Sequence, residues 1–219
     1  MEIKLVSHAC TLIKGDQFCM LTDPWLTGEV FNNGWGLVLG AHQTHSLTDQ
    51  EIQDVTHIYI SHEHPDHFHI PSLKIIAERR GDCSAIKVLI KKDSRTKDIE
   101  LLLNKIGFED VVRLRHMNDY ALDVVGKVSC QIYCHRHIDS ALVLKEVGGP
   151  AIINLNDAEL SVDECTQLSR SLGSRKVLLL NQFSIAGFDG INNVDCLVEQ
   201  AGNVIRKMID QHIALSAST

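Results

Sequence analysis

The segment SHEHPDHFHIP, residues 61–71, gathers four histidines and two acidic residues into eleven positions, directly after the apolar run THIYI. Within it His62, His64, Asp66 and His67 spell H-x-H-x-D-H. On an extended segment, side chains two apart point the same way, so His62 and His64 can grip one ion together. Pro65 forbids a smooth helical continuation and turns the chain, which brings Asp66 and His67 round to a second position nearby. Imidazole and carboxylate suit zinc, manganese or iron, and they leave room for water. The zinc-protease helix motif H-E-x-x-H does not fit, because position 66, four after His62, is an aspartate and Pro65 would break the helix. Glu63 occupies the variable slot, facing away or toward the pocket rim, and His69 reads as an ordinary loop residue.

The elements that must position this cluster can be read from periodicity and breakers. EIKLVS, ACTLIK and QFCMLTD read as three short strands, with Gly15-Asp16 turning the second into the third. Residues 24–46 form a long loop holding Trp25 and Trp35, which we expect to cover a pocket. TDQEIQD is a short helix capped by Thr48, with Glu51 completing a capping box. THIYIS is a strand that delivers the cluster, and Pro71 opens a helix that stops at Gly81. AIKVLIKK is a strand and SRTKDIELLLNKIG a helix. Residues 111–154 alternate like paired strands, notably KVSCQIYC, SALVLKE and PAIINLND. SVDECTQLSRSLG is a capped helix, KVLLLNQ a buried strand, and residues 194–212 an amphipathic helix. A strand meander followed by alternating strands and helices predicts two packed sheets with helices outside.

Composition sets the class. The 219 residues, 44% of them hydrophobic, suit one α/β domain spanning 1–219. A net charge of −7 argues against nucleic acid as a partner. Seven cysteines, odd in number and without a C-x-x-C pair, suit buried reduced thiols in a cytoplasmic protein. The polar start MEIKLVSHAC does not read as a secretory signal, and no apolar run has membrane-spanning length. No Ser-His-Asp arrangement, Walker loop or complete G-x-G-x-x-G offers a rival catalytic device.

H-x-H-x-D-H after a strand, with the upstream Asp-Pro of TDPW, resembles the metallo-β-lactamase fold superfamily. SHACTLI is similar to the opening strand of the branch that includes ascorbate-phosphate lactonases. TDPWLTGEVFNNGW, DSALVL, NLNDAEL and NQFSIAGF resemble the metallo-β-lactamase-like domain of CMP-N-acetylneuraminate hydroxylase-type proteins. The resemblance implies an α/β fold, a four-layer αββα sandwich, with the last strand present or missing. It implies His62 and His64 on a first metal, Asp66 and His67 on a second, and Asp157 bridging the two. The alternative for Asp157 is a helix cap. Asp23 resembles an aspartate that orients a ligand imidazole through its other N–H, and otherwise reads as a turn residue before proline. For the remaining first-site histidine the resemblance points to CHRHIDS, where His135, His137 and also Asp139 stay open. A last metal histidine is expected on a late strand, and His212, inside a helical run, is a poor substitute for it.

The implied chemistry uses one or two divalent ions, zinc or else manganese or iron. A bound ion brings the pKa of its water to about 7, and Asp66 and Asp157 would orient the nucleophile. His8, Trp25 and Trp35 are candidates for the pocket wall, the two tryptophans reading first as core residues. The leading expectation is a hydrolase acting on a small or sugar-linked ester, lactone or phosphate. The alternatives are a di-iron oxidoreductase or hydroxylase that takes electrons from a partner, and a non-catalytic metal-binding subunit. A homo- or hetero-oligomer is compatible with either.

Overall fold

A computed structural model of the chain describes residues 1–37, 47–92, 96–135, 138–181 and 194–216. In chain order the elements are β1 (Glu2–Ser7), β2 (Cys10–Lys14), β3 (Cys19–Thr22), β4 (Glu29–Val30), β5 (Trp35–Gly36), α1 (Asp49–Asp54), β6 (His57–Ile60), α2 (Ile70–Arg80), β7 (Lys87–Lys91), α3 (Thr96–Ile106) and β8 (Asp110–Leu114). They continue with β9 (Tyr120–Ala121), β10 (Val128–Cys134), β11 (Ser140–Glu146), β12 (Ala151–Asn154), α4 (Val162–Leu172), β13 (Val177–Leu180) and α5 (Val194–Ser216). One sheet has the order β1-β2-β3-β6-β7-β8 and a second β13-β12-β11-β10-β9, with β4-β5 as a separate hairpin.

Strand alternation divides the core into three layers of contact. Ile58 and Ile60 of β6 join Val88 and Ile90 of β7 against Ile52, Leu73, Ile76 and Leu103 from α1, α2 and α3. Their alternating neighbours Tyr59 and Leu89 turn to the other face and meet Cys130, Ile132, Leu142 and Leu144 of the second sheet. Ala141, Val143 and Ile153 then pack outward on Cys165, Leu168 and Leu172 of α4 and Leu215 of α5. Period-two sequences buried on both faces therefore produce helix, sheet, sheet and helix in succession, the expected αββα sandwich.

Most of the elements match the sequence expectation, down to the Thr48–Glu51 capping box of α1 and the Ser161–Glu164 box of α4. Two differ. Asp110–Leu114, grouped above with the strands that follow it, lies instead at the edge of the first sheet, parallel to β7. The loop expected over 24–46 contains the β4–β5 hairpin, turned by Phe31, Asn32 and Asn33 with positive φ. Asparagine tolerates that conformation, which is why a hairpin can form in a segment without strand periodicity. The remainder of that loop, 38–46, lies outside the described residues. The six described cysteines are free thiols, five of them buried. Among the described residues no helix is long and apolar enough to cross a membrane.

The two sheets are tied together at the edge where the histidine cluster begins. The buried Tyr59 hydroxyl lies 2.8 Å from Ser140 Oγ, which itself donates to the Ser61 carbonyl at 2.7 Å. Tyr59→Phe leaves the Ser140 oxygen without its buried partner, a loss of about 1–2 kcal/mol. A lower urea midpoint with an unchanged m-value is the expected outcome. An unchanged midpoint would show that the bond contributes nothing to stability.

Candidate metal centre

The carboxyl ends of the parallel strands β3 and β6 open on one edge of the first sheet, a usual place for a site in open α/β sheets. Asp139, just before β11, and Asp157, after β12, reach the same edge. Beyond β6 the chain leaves the strand at Ser61 and His62, bends at Glu63 and His64 and turns over Pro65–His67. The backbone amides of His67 and Phe68 both donate to the His64 carbonyl, at 3.0 and 2.7 Å. His69 follows as the N-cap of α2, accepting from the Ser72 amide. It is thus a structural cap, a role that its loop reading did not capture. After β12, Asn156 with φ +48° swings the chain so that Asp157 faces back over the cluster. Ser161, four residues later, is the helix cap, so Asp157 does not serve as one.

The side chains form two groups whose donor atoms lie within 4.8 Å of one another: His62, His64 and Asp157, and His8, Asp66 and His67. In the first, His62 Nε2 stands 2.8 Å from His64 Nδ1 and 3.8 Å from Asp157 Oδ2. Asp139 Oδ1 is 3.9 Å from the same His62 nitrogen. In the second, Asp66 Oδ2 is 3.1 Å from His8 Nε2 and 3.5 Å from His67 Nε2. Asp157 Oδ2 also reaches to 3.4 Å from His67 Nε2, so among the described residues this carboxylate stands close to both groups. Behind them sits Asp23, fully buried, with φ +37°. Its Oδ1 accepts from the Ser61 amide at 2.7 Å, and its Oδ2 lies 3.1 Å from His67 Nδ1. The His67 ring is thereby held with Nε2 toward the donors, the arrangement expected behind a metal-ligating imidazole.

The titratable groups of the cluster shift one another in a consistent way. Burial lowers His62, and the neighbouring His67 lowers it further, to about 3. Burial acts in the same direction on His67, but the charge of Asp23 and the approach of Asp157 and Asp66 outweigh it and hold its pKa well above the ordinary value. Burial raises Asp66, yet His67 and His8 more than offset this and keep it below the usual carboxylate range. Asp139 is raised by burial and by the charge of Asp157. Perturbed groups of opposite sign in one cleft are what a metal or catalytic site requires.

The residues fit divalent metals. Donors bound at about 2.1 Å around one tetrahedral ion stand about 3.4 Å apart, and the separations above run from 2.8 to 3.9 Å. Asp66 Oδ1 and His67 Nε2 are buried without any hydrogen-bond partner, which a cation would remedy. His62, His64, Asp66, His67 and Asp157 are thus brought together. His135 is not: it is buried, its Nδ1 faces Glu164 Oε1 at 3.4 Å, and it joins neither donor group. His137 lies outside the described residues. The donor that sequence reasoning missed is His8, read there as pocket wall. Its only signal was position, at the end of a short strand in SHACTLI.

A cavity of about 620 Å³ opens beside the donors. Its lining includes Ile3, Leu5, Leu179 and Leu180, with His8 and Asp157 giving access to both groups. His212 lines the same cavity from α5, and Trp25 and Trp35 do not line it. Trp25 packs in the core, 2% exposed, as the first of its two readings has it.

A model of the beta-lactamase superfamily domain matches residues 2–137. The cytidine monophosphate-N-acetylneuraminic acid hydroxylase of Danio rerio is 35% identical over 164 residues, covering 72% of this chain and 26% of that relative. The chain therefore spans about a quarter of that relative's length. Among solved structures, CmlA, a diiron beta-hydroxylase from Streptomyces venezuelae, is similar with a TM-score of 0.57 at 18% identity, over 80% of this chain and 33% of that one. A possible metal-dependent hydrolase from Veillonella parvula DSM 2008 is similar with a TM-score of 0.58 at 15% identity, over 94% and 81% of the two chains. At these identities the structural likeness speaks for the fold alone.

Proposed function

Because this chain belongs to the beta-lactamase superfamily, we propose that it is a two-metal oxidoreductase in which iron serves to hydroxylate an organic substrate. The observation that carries the reading is the likeness over 72% of this chain to a relative that is a hydroxylase by name, at 35% identity. The donor composition supports it: each described group consists of two histidines and one carboxylate, a set that suits non-haem iron with open positions, although catalytic zinc uses it too.

Iron bound at such donors supplies dioxygen activation, and zinc at the same donors would supply an acidified water. The overall change is R–H + O₂ + 2H⁺ + 2e⁻ → R–OH + H₂O. The electrons come from an external carrier, a second protein or a reduced nucleotide. This chain's own residues do the positioning. Asp157 spans both donor groups, and Asp23 fixes the His67 ring. Ile3, Leu5, Leu179 and Leu180 accept an apolar portion of the substrate and keep water from it.

The hydrolase reading has one observation in its favour. Asp157 Oδ2 lies between His62 and His67, where a carboxylate can orient an attacking water. Metal analysis of protein purified without added metal separates the two. Near-stoichiometric iron, with visible absorption that bleaches on reduction, is the expected result. Colourless zinc protein that hydrolyses an ester or phosphodiester panel, with that activity lost in His64→Ala, would replace the oxidoreductase by the hydrolase.

A further inference from the structure

We propose that His8 is a direct ligand of the second metal, completing the group of Asp66 and His67 from the β1–β2 turn at the same end of the first sheet. This rests on the two-group reading above but not on which metal is bound.

The backbone is the first reason. The β1–β2 pairing slips between Leu5 and Ser7, a bulge at the rim of the sheet. His8 follows at φ +40°, left-handed for a residue with a full side chain. Bulges beside a site re-aim side chains. The positive φ is what the first position of a two-residue hairpin loop takes, here His8–Ala9 between the paired Ser7 and Cys10. Ser7 Oγ donates to the Trp25 carbonyl, and the Trp25 ring meets the His8 ring edge-on with centroids 5.3 Å apart. Turn and ring contact together set the His8 side chain at the rim of the cluster.

The aim of the ring is the second reason. His8 Nε2 is 3.1 Å from Asp66 Oδ2, and the ring stands edge-on to His67 at 5.5 Å. His67 Nε2 stands 3.5 Å from the same Asp66 Oδ2 and, on a fully buried residue, makes no hydrogen bond. Three donors therefore converge on one space, one of them a buried nitrogen without a hydrogen bond. The side chain of His8 is 26% exposed and also lines the apolar cavity, so the group has an open side toward the substrate space.

A simpler role is available: His8 could do no more than donate a hydrogen bond to Asp66. Glutamine separates the roles, because its amide can still donate to Asp66 but binds a metal poorly. The full-length protein, His8→Ala and His8→Gln are each titrated with Zn²⁺ and with Co²⁺. Ions retained after gel filtration are counted by mass spectrometry, and cobalt absorption reports on the coordination. Wild type should retain two ions and both variants one. The second-ion affinity should fall beyond the about 10–100-fold that loss of a supporting hydrogen bond costs. Two retained ions in His8→Gln would overturn the ligand role and make His8 a positioning residue for Asp66. Two in His8→Ala would remove it from the site altogether. Should the alanine variant not fold, the glutamine variant alone decides. A wild-type protein that holds a single ion overturns the two-group reading and this inference with it, a result distinct from any difference between variants.

Discussion

Asp157→Asn is expected to loosen both metals at once, a larger effect than any other single replacement in the cluster. Its Oδ2 stands 3.8 Å from His62 Nε2 and 3.4 Å from His67 Nε2, so one carboxylate serves two groups. Asparagine keeps the shape and removes the negative charge that two cations would share. Ion affinity should fall by more than about 100-fold, the upper end of the cost of losing a supporting partner. A ligand that binds only the native state stabilises it by about 4 kcal/mol when present at a thousand times its dissociation constant. A hundredfold loss of affinity removes about 2.7 kcal/mol of that for each ion. The rise in melting temperature on adding metal should therefore largely vanish in the variant, while its metal-free melting temperature reports any separate damage to the fold. An undiminished metal-induced shift would exclude Asp157 as a shared donor. Turnover should fall in step with the loss of bound metal.

Much of this centre is legible in the sequence because local spacing determines it. His62 and His64 come together within one short bend after β6, and the turn over Pro65 redirects Asp66 and His67, all inside six residues. The fold is legible for a related reason. Strands buried on both faces read as apolar runs, so HIYI, KVLIK and SALVL announce themselves. What escapes is what depends on long-range assembly. His8 enters the centre through a bulge and a left-handed residue, and neither has a hydrophobic period to betray it. Asp139 stays open beside His135 and His137 in the sequence, and only the packing of the two sheets singles it out, 3.9 Å from the His62 nitrogen. The edge strand β8 was grouped with its sequence neighbours because crossover to a parallel partner leaves no local mark. His135 fails in the other direction: its type and spacing suit a ligand, but its ring is turned toward Glu164 on α4.

Asp23→Asn should change the proton count of metal binding as well as its strength. In the metal-free wild type His67 is held protonated, because Asp23, Asp157 and Asp66 together outweigh the effect of burial. A metal ligand must be the neutral imidazole, so binding near neutral pH has to expel that proton. Raising the pH removes the proton in advance, and wild-type affinity should climb with pH until His67 has titrated. The same proton also enters folding. A histidine whose pKa is raised in the native state adds stability that is fully present below the unfolded value of about 6.5, and that stability is lost as pH rises through the native pKa. Asparagine still accepts from the Ser61 amide, but it cannot offer His67 a charge. Burial then acts with less opposition, the pKa falls, and the variant should bind metal with fewer protons released and a flatter pH dependence. The His67 ring also loses its anchor, which should weaken binding by about 10–100-fold at high pH, where protonation no longer matters. As pH falls, the wild type pays for deprotonation and the variant does not, so the gap between them should narrow. Calorimetry in two buffers of different ionisation enthalpy, repeated from pH 6 to 9, measures both quantities. Equal proton release by the two proteins would mean that Asp23 holds the ring in place without governing its charge.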